Sequence, residues 1–245
     1  MKIIGFPDRA ELLAEFLGTC FGDGCLSVSE KKHDYCLYIT GHTVDDELYM
    51  KTYLPQIIKN LFGIECKLRK QKGNTLILYT RSKELVKFLN KEGMQIGRKN
   101  DLNIPEWIKS KPSLMTAFLR GFVDTDGCLT FKKRYKESHY YPTISVSSIN
   151  NNIILDLHRF LNDSGFKVGK IVKSMDSVKG YDKLYPHFRI YLYGEKNLEK
   201  WIGLIGFSNM KHMSKYLTWK KMGHSPSYSS TPSRIKIIKN PPSEI

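Results

Sequence analysis

Two aspartates, Asp23 and Asp126, stand in near-copies of one segment of a 245-residue chain, AEFLGTCFGDGCLSV at 14–28 and TAFLRGFVDTDGCLTF at 116–131. Gly18, Asp23, Gly24, Cys25 and Leu26 match Gly121, Asp126, Gly127, Cys128 and Leu129 at a single offset, 126 − 23 = 103. Identities held at one spacing mark an internal repeat. In the first copy Leu12, Leu13, Phe16 and Leu17 form an apolar stripe while Gly18 and Gly22 stand four apart, and the second copy has Gly121 and Thr125 in those places. Small residues one helical turn apart let two helices approach closely, so the repeat helices are expected to pack small face to small face. Gly24 and Gly127 are then expected in the left-handed conformation that ends a helix.

That arrangement puts Asp23 and Asp126 in the last turn of their helices, where the macrodipole disfavours negative charge by a few tenths to about 1 kcal/mol. Two carboxylates brought together there should raise a pKa or recruit a cation. A divalent metal resolves both conflicts. A single Asp-Gly would read as a solvated helix-stop turn, but its duplication beside close-packing glycines favours a shared site.

The elements that must position this pair repeat as well. YCLYIT (35–40) and the apolar-periodic DDELYMKTYLPQIIKNLF parallel PTISVSS (142–148) and NNIILDLHRFL. Further strand-like runs follow, ECKLRKQ and TLILYT in the first half and VGKIVKS and FRIYLY in the second. Lys83, Leu85, Lys87 and Gly93 recur as Lys196, Leu198, Lys200 and Gly206 at a second offset, 196 − 83 = 113. The expected fold is α+β, with two pseudo-symmetric αββαββα halves, each an antiparallel sheet packed on helices. Residues 1–100 and 114–222 form the halves, and the proline-interrupted stretch 101–113 is a linker too short for independent action. Residues 223–245, rich in serine, proline and lysine, are expected to be a flexible basic tail.

Lysine and arginine number 39 against 24 acidic residues, so the net charge is +15. Such an excess favours a polyanionic partner, and its spread along the chain favours nucleic acid over a membrane surface. No stretch reaches the roughly 18 apolar residues of a membrane span, and acids follow MKIIGFP where a signal peptide would stay apolar. A soluble, intracellular protein is expected. The five cysteines are an odd count with no C-x-x-C pair, which suits reduced, mostly buried thiols instead of disulfides or zinc.

FLGTCFGDG (16–24) and LRGFVDTDG (119–127) resemble the two signature motifs of LAGLIDADG homing endonucleases, and NIPEWIKSKPSLMTAFLRGFVDTDG resembles that family's run into its second motif. With element order included, the resemblance covers about residues 10–220. It implies metal binding by the Asp23 and Asp126 side chains, with backbone carbonyls from Gly22 and Thr125. The metal implied is Mg²⁺, as about two or three ions, with Mn²⁺ or Ca²⁺ able to substitute for binding. It also implies a basic residue near each site, for which Lys99 and Lys211 are the candidates ahead of Arg98, and cleavage that leaves 3′ overhangs. The earlier acidic motif position is Asp124 in the second copy but Phe21 in the first, so Asp124 is assigned to bracing the interface.

Strand alternation selects the side chains that would face DNA, because the opposite face must pack on helices. The outward set is Ser27, Ser29 and Lys31 in the first strand, matched by Thr130, Lys132 and Arg134. Tyr38 and Thr40 match Ser145 and Ser147. Lys67, Arg69 and Gln71 follow in the third strand, and Arg189, Tyr191 and Tyr193 in the last. A two-stranded ribbon fits the major groove, where such residues read base edges. Because the two faces differ, a monomer is expected on an asymmetric duplex site. The family setting is an intron-encoded enzyme of a prokaryotic cytoplasm or organelle matrix, with host intron RNA as a further partner. The competing readings are an RNA maturase or a non-cleaving DNA-binding protein on the same scaffold. An enzyme embedded in an intein is disfavoured, because neither a splicing nucleophile nor a closing His-Asn is evident.

Overall fold

The computed structural model describes residues 8–100, 102–177 and 184–240. In the first half, helix α1 (Arg9–Asp23) runs directly into β1 (Gly24–Ser29) and β2 (Asp34–His42). A π-helical turn at Tyr49–Tyr53 then leads into α2 (Leu54–Phe62), followed by β3 (Lys67–Gln71), β4 (Thr75–Arg81) and α3 (Lys83–Lys91). After a short helix α4 (Glu106–Lys109), the second half repeats the plan as α5 (Pro112–Asp126), β5 (Gly127–Lys132), β6 (Tyr141–Ser148), α6 (Asn151–Asp163), β7 (Val172–Ser177), β8 (Leu184–Tyr193) and α7 (Glu195–Leu204). Two further helices follow, α8 (Met210–Met222) and α9 (Thr231–Lys239). Both sheets are antiparallel with the same order, β1-β2-β4-β3 and β5-β6-β8-β7, as a duplicated αββαββα unit requires.

Each sheet turns its apolar alternation onto helices. Leu26, Leu37, Ile39, Leu76 and Leu78 are buried with Ile57, Ile58 and Leu61 of α2 and Leu85, Val86 and Leu89 of α3. Leu129, Ile144, Val146, Ile190 and Leu192 do the same with Leu157 of α6 and Trp201 of α7. The two cores are continuous through α1 and α5, where Phe21 meets Phe118 edge-on at 5.5 Å. Truncating a fully buried ring such as Phe118 to alanine should cost roughly 3–5 kcal/mol.

Several details differ from expectation. Gly24 and Gly127 are extended, with φ of −79° and −99°, not left-handed. Their lack of a side chain serves close approach instead. A methyl on Gly24 would stand 2.5 Å from the Cys20 carbonyl oxygen, and one on Gly127 2.6 Å from that of Val123. The helix-to-strand turn is thus sterically restricted to glycine. The strand expected at 168–174 begins at Val172, with Val168 making only an isolated bridge to Leu192.

The segment expected to be a flexible tail contains α9, which packs on α8. Arg234 is buried and its Nε donates to Ser214 Oγ at 2.9 Å, while Thr231 N and Oγ1 donate to Asp45 Oδ1 at 2.7 and 2.9 Å. A satisfied buried arginine and a charge-assisted cap order the segment, and composition does not register either. Of the cysteines, Cys20 and Cys36 are buried, Cys66 and Cys128 half-buried and Cys25 exposed, all unpaired.

Candidate active site

The crossing of α1 and α5 fixes everything nearby. A methyl on Gly18 would overlap the Phe118 carbonyl oxygen, and one on Gly121 would overlap that of Glu15. These contacts are one contact seen twice, because 118 − 15 and 121 − 18 both equal the repeat offset of 103. On the axis itself, Gly22 lies against its own counterpart, the Thr125 hydroxyl. The small residues therefore set a pseudo-twofold axis that passes beside the two aspartates: a methyl on Gly22 would lie 3.5 Å from Asp126 Cγ.

Both carboxylates keep a solvent-open edge while protein encloses their remaining sides. Burial pushes Asp23 up to about 6, against the attraction of Lys211 and then Lys99, with Asp46 adding repulsion. Burial and the neighbouring Asp23 charge push Asp126 up to about 7, against Lys99 and then Lys211. The two acids thus share one electrostatic site, and each is balanced first by the lysine of the opposite half.

Lys99 and Lys211 are brought to the pair as expected. Lys99 Nζ donates to the carbonyl oxygens of Gly22 and, at 3.0 Å, Phe21. Lys211 Nζ lies 3.5 Å from Asp46 Oδ1. Asp124 is fully buried and takes hydrogen bonds at Oδ2 from the backbone N–H groups of Ser208 (2.8 Å) and Asn209 (3.1 Å). It therefore seats the start of α8, which carries Lys211, and does not join the acidic pair.

The donor set suits a hard cation. Two adjacent carboxylates and the Gly22 carbonyl offer oxygen donors, and no group of three or more His, Cys, Asp or Glu side chains placed to hold a metal ion occurs among the described residues. Mg²⁺ is commonly held by one or two carboxylates together with water and substrate phosphate, so this sparse set fits it better than a closed protein cage would. Raised carboxylate pKa values express the same need for positive charge. Among the described residues the Thr125 side chain is turned inward, donating to Phe122 O at 2.9 Å, which leaves only its backbone for a ligand role.

The sheet registers place the expected outward residues on common faces. In the first sheet, Cys25 is opposite Tyr38, Ser27 opposite Cys36, Tyr38 opposite Tyr79 and Lys67 opposite Tyr79, with Thr40 and Arg69 both opposite Ile77. Ser29 and Gln71 continue that face. In the second, Cys128 is opposite Ser145 and Thr130 opposite Thr143, while Ser145 meets Tyr191, Ser147 meets Arg189 and Thr143 meets Tyr193. Lys132 pairs with Tyr141 at the strand end. Ser147 Oγ also donates to Asp126 O at 3.4 Å, tying that face to the acidic pair.

Lys31 and Arg134 lie beyond the strands, Lys31 in a 3₁₀ turn at Glu30–Lys32 and Arg134 in the loop after β5, because β1 and β5 stop at Ser29 and Lys132. Arg134 stacks over Tyr141 at 4.4 Å. Two face residues had not been selected from sequence: Tyr79 and Arg81, which lie in register with Tyr38 and Cys36. Arg69 and Arg81 sit over the Tyr79 ring at 5.5 and 5.6 Å, an array of cations and rings suited to phosphates and bases. Their signal was present, since TLILYTR alternates with 75, 77, 79 and 81 on one face.

Comparison with known proteins bears on the fold. The LAGLIDADG-like domain matches residues 113–206. A replication factor C small subunit of Methanocaldococcus jannaschii is 30% identical over 211 residues, 86% of this chain and 10% of that protein. An archaeal Lon protease of Pyrococcus abyssi is 48% identical over 66 residues, 26% of this chain and 6% of that protein. The chain therefore spans a tenth or less of these relatives. I-DmoI in complex with DNA and Mn has a TM-score of 0.55 at 16% identity, covering 82% of this chain and 99% of that one. An I-SmaMI mutant has 0.53 at 11% identity, with 88% and 89% covered. The N-terminal LAGLIDADG domain of DUF199/WhiA has 0.50 at 14% identity, with 84% and 87% covered. Residues 113–206 form a LAGLIDADG-like domain, and together with the preceding half they give the chain the two-repeat LAGLIDADG fold of the homing endonuclease I-DmoI.

Proposed function

We propose that this protein is a site-specific endonuclease that hydrolyses both strands of a long, asymmetric DNA duplex with bound Mg²⁺, leaving 3′ overhangs. The observation that carries the reading is the pair Asp23 and Asp126, enclosed at the ends of two close-packed helices, each raised in pKa and each faced by a lysine. Bound Mg²⁺ would supply a more acidic water and charge stabilisation at the scissile phosphates. Asp23, Asp126 and the Gly22 and Thr125 backbones would hold it. Lys99 and Lys211 would offset phosphate charge as it develops, one beside each strand.

The sheets supply recognition. Tyr38, Thr40, Tyr79, Lys67, Arg69, Gln71 and Arg81 on one side face different chemistry from Ser145, Ser147, Arg189, Tyr191 and Tyr193 on the other. Two dissimilar faces in one chain support a monomer reading a non-palindromic site. We read the coding element as a mobile intervening sequence. Related segments occupy a tenth or less of two proteins with unrelated names, a replication factor subunit and a protease, so they are translated within those chains, which supports a mobile insert without placing it in an intron.

A protein that binds DNA without cutting, or an intron RNA maturase, would leave the acidic pair without a task. Acids facing phosphate weaken purely electrostatic binding. The test starts from a random-sequence duplex pool, selected by binding in Ca²⁺ and then shifted to Mg²⁺. Cleavage of both strands that EDTA stops is expected. Tight, selective binding with intact strands after prolonged Mg²⁺ incubation would overturn the nuclease reading in favour of the binding one.

A further inference from the structure

Resting on that reading, we propose that Asp46 and Asn150 are reciprocal positioning residues, each reaching from its own half to hold the lysine-bearing segment of the other, so that each governs the cutting rate of one DNA strand. The two positions are equivalent. Asp46 O accepts from Met50 N at 2.9 Å and Asn150 O accepts from Ile154 N at 3.4 Å, so both open the helix that follows the second strand of their half. Their separation, 150 − 46 = 104, is one residue from the repeat offset.

Each side chain crosses the pseudo-twofold axis. Asp46 Oδ1 accepts from Asn209 Nδ2 at 2.8 Å and lies 3.5 Å from Lys211 Nζ, while Oδ2 accepts from His42 N at 2.8 Å. Asn150 Oδ1 accepts from Leu102 N at 3.0 Å and its Nδ2 donates to Lys99 O at 3.4 Å. Asp46 and Asn150 are 7% and 6% exposed, so these contacts are costly to leave unmade. Asn209 passes the restraint on, because its Oδ1 accepts from Lys211 N at 2.9 Å. The first half thus locates Lys211, and the second half locates Lys99.

The chemistry of the two braces differs. Asp46 holds the Lys211 head group through charge, whereas Asn150 is neutral and holds Lys99 by its backbone, leaving the ammonium on the α1 carbonyls. Removing the Asp46 charge should therefore loosen Lys211 without disturbing Lys99. Asp46 also repels Asp23, but its hydrogen bond and ion pair across the axis are to Asn209 and Lys211, and Asn150 reaches the segment of Lys99.

The test uses a Ca²⁺-selected duplex with a different 5′ dye on each strand and single-turnover rates in Mg²⁺. Lys211→Met and Lys99→Met first identify the strand that each lysine serves. Asp46→Asn should then slow the Lys211 strand by about tenfold or more while the other changes by less than about twofold, since small misplacements of a catalytic group are costly. Asn150→Ala should slow the Lys99 strand in the same selective way, and it decides the matter alone if Asp46→Asn does not fold. Equal slowing of both strands, or slowing of the opposite strand, would show mere structural support and overturn the proposal. Wild-type protein that cuts neither strand would overturn the nuclease reading and this proposal together.

Discussion

Lys99 Nζ donates to the carbonyl oxygen of Gly22, the residue immediately before Asp23. The ammonium therefore sits on unpaired carbonyls at the C-terminal end of α1, where positive charge is favourable, and also beside the two carboxylates. A metal that uses the Gly22 carbonyl must share this oxygen with Lys99 or displace it.

Lys99→Met should consequently have two separable effects. Loss of a charged cap should lower stability by about 0.3–1 kcal/mol, read from chemical denaturation. Loss of a preorganised cation near phosphate should slow cleavage by on the order of 100-fold, far more than the stability change explains. A rate within experimental error of wild type would confine Lys99 to capping.

The acidic pair sets a pH dependence in chelator, with no metal present. Both folded pKa values, about 6 for Asp23 and about 7 for Asp126, lie above the ordinary carboxylate value. The stability linked to these groups is therefore fully present below about pH 4 and is lost as pH rises through 6–7. Asp126→Asn should be more stable than wild type at pH 8 by on the order of 1–2 kcal/mol, allowing for the solvent-open edge, with the difference gone at pH 4. Thermal melts of the two proteins at both pH values check this, and a variant less stable at pH 8 would argue against charge crowding.

The helix crossing should tolerate nothing larger than glycine at its two reciprocal contacts. Gly18→Ala and Gly121→Ala each press a methyl into a backbone carbonyl of the partner helix, so each should destabilise by about 1–3 kcal/mol or more. Gly203→Ala in α7 is the control. Its added methyl meets nothing within 4 Å, and stability should rise by about 0.4–1 kcal/mol. Equal melting temperatures for all three would mean that α1 and α5 do not pack as described.

Binding should weaken linearly on a log-log plot against salt, as expected for a chain of net charge +15 with cationic sheet faces. Arg69→Ala and Lys132→Ala should weaken binding or relax base preference with little change in melting temperature, since both side chains are exposed. Arg81→Ala should do the same, although its Nε–Asp34 bond of 2.9 Å is lost as well. A salt-independent affinity would remove the electrostatic basis of this interface.

Much of this molecule is legible in its sequence because repetition and alternation are local signals. Gly18 with Gly121 gives the helix crossing, and the alternation of 36–40 and 67–71 gives the sheet face. What was not legible depends on contacts distant in sequence. Gly24 and Gly127 match a helix-ending pattern, yet the direct passage into a strand makes them extended. The tail composition hides that Arg234 finds Ser214 and that Thr231 finds Asp45 across 186 residues. Asp46 and Asn150 share neither residue type nor the main offset, so only the fold reveals their equivalence.

The most direct measurement is strand cleavage by Asp23→Asn and Asp126→Asn on a Ca²⁺-selected, doubly labelled duplex in Mg²⁺, beside their affinity for the same duplex. Replacing carboxylate by amide keeps the helix-end shape and removes the charge that would retain the metal. The shared-site account expects both variants to fold and bind within about tenfold of wild type while double-strand cleavage disappears. Cleavage of both strands by both variants at the wild-type rate would contradict it.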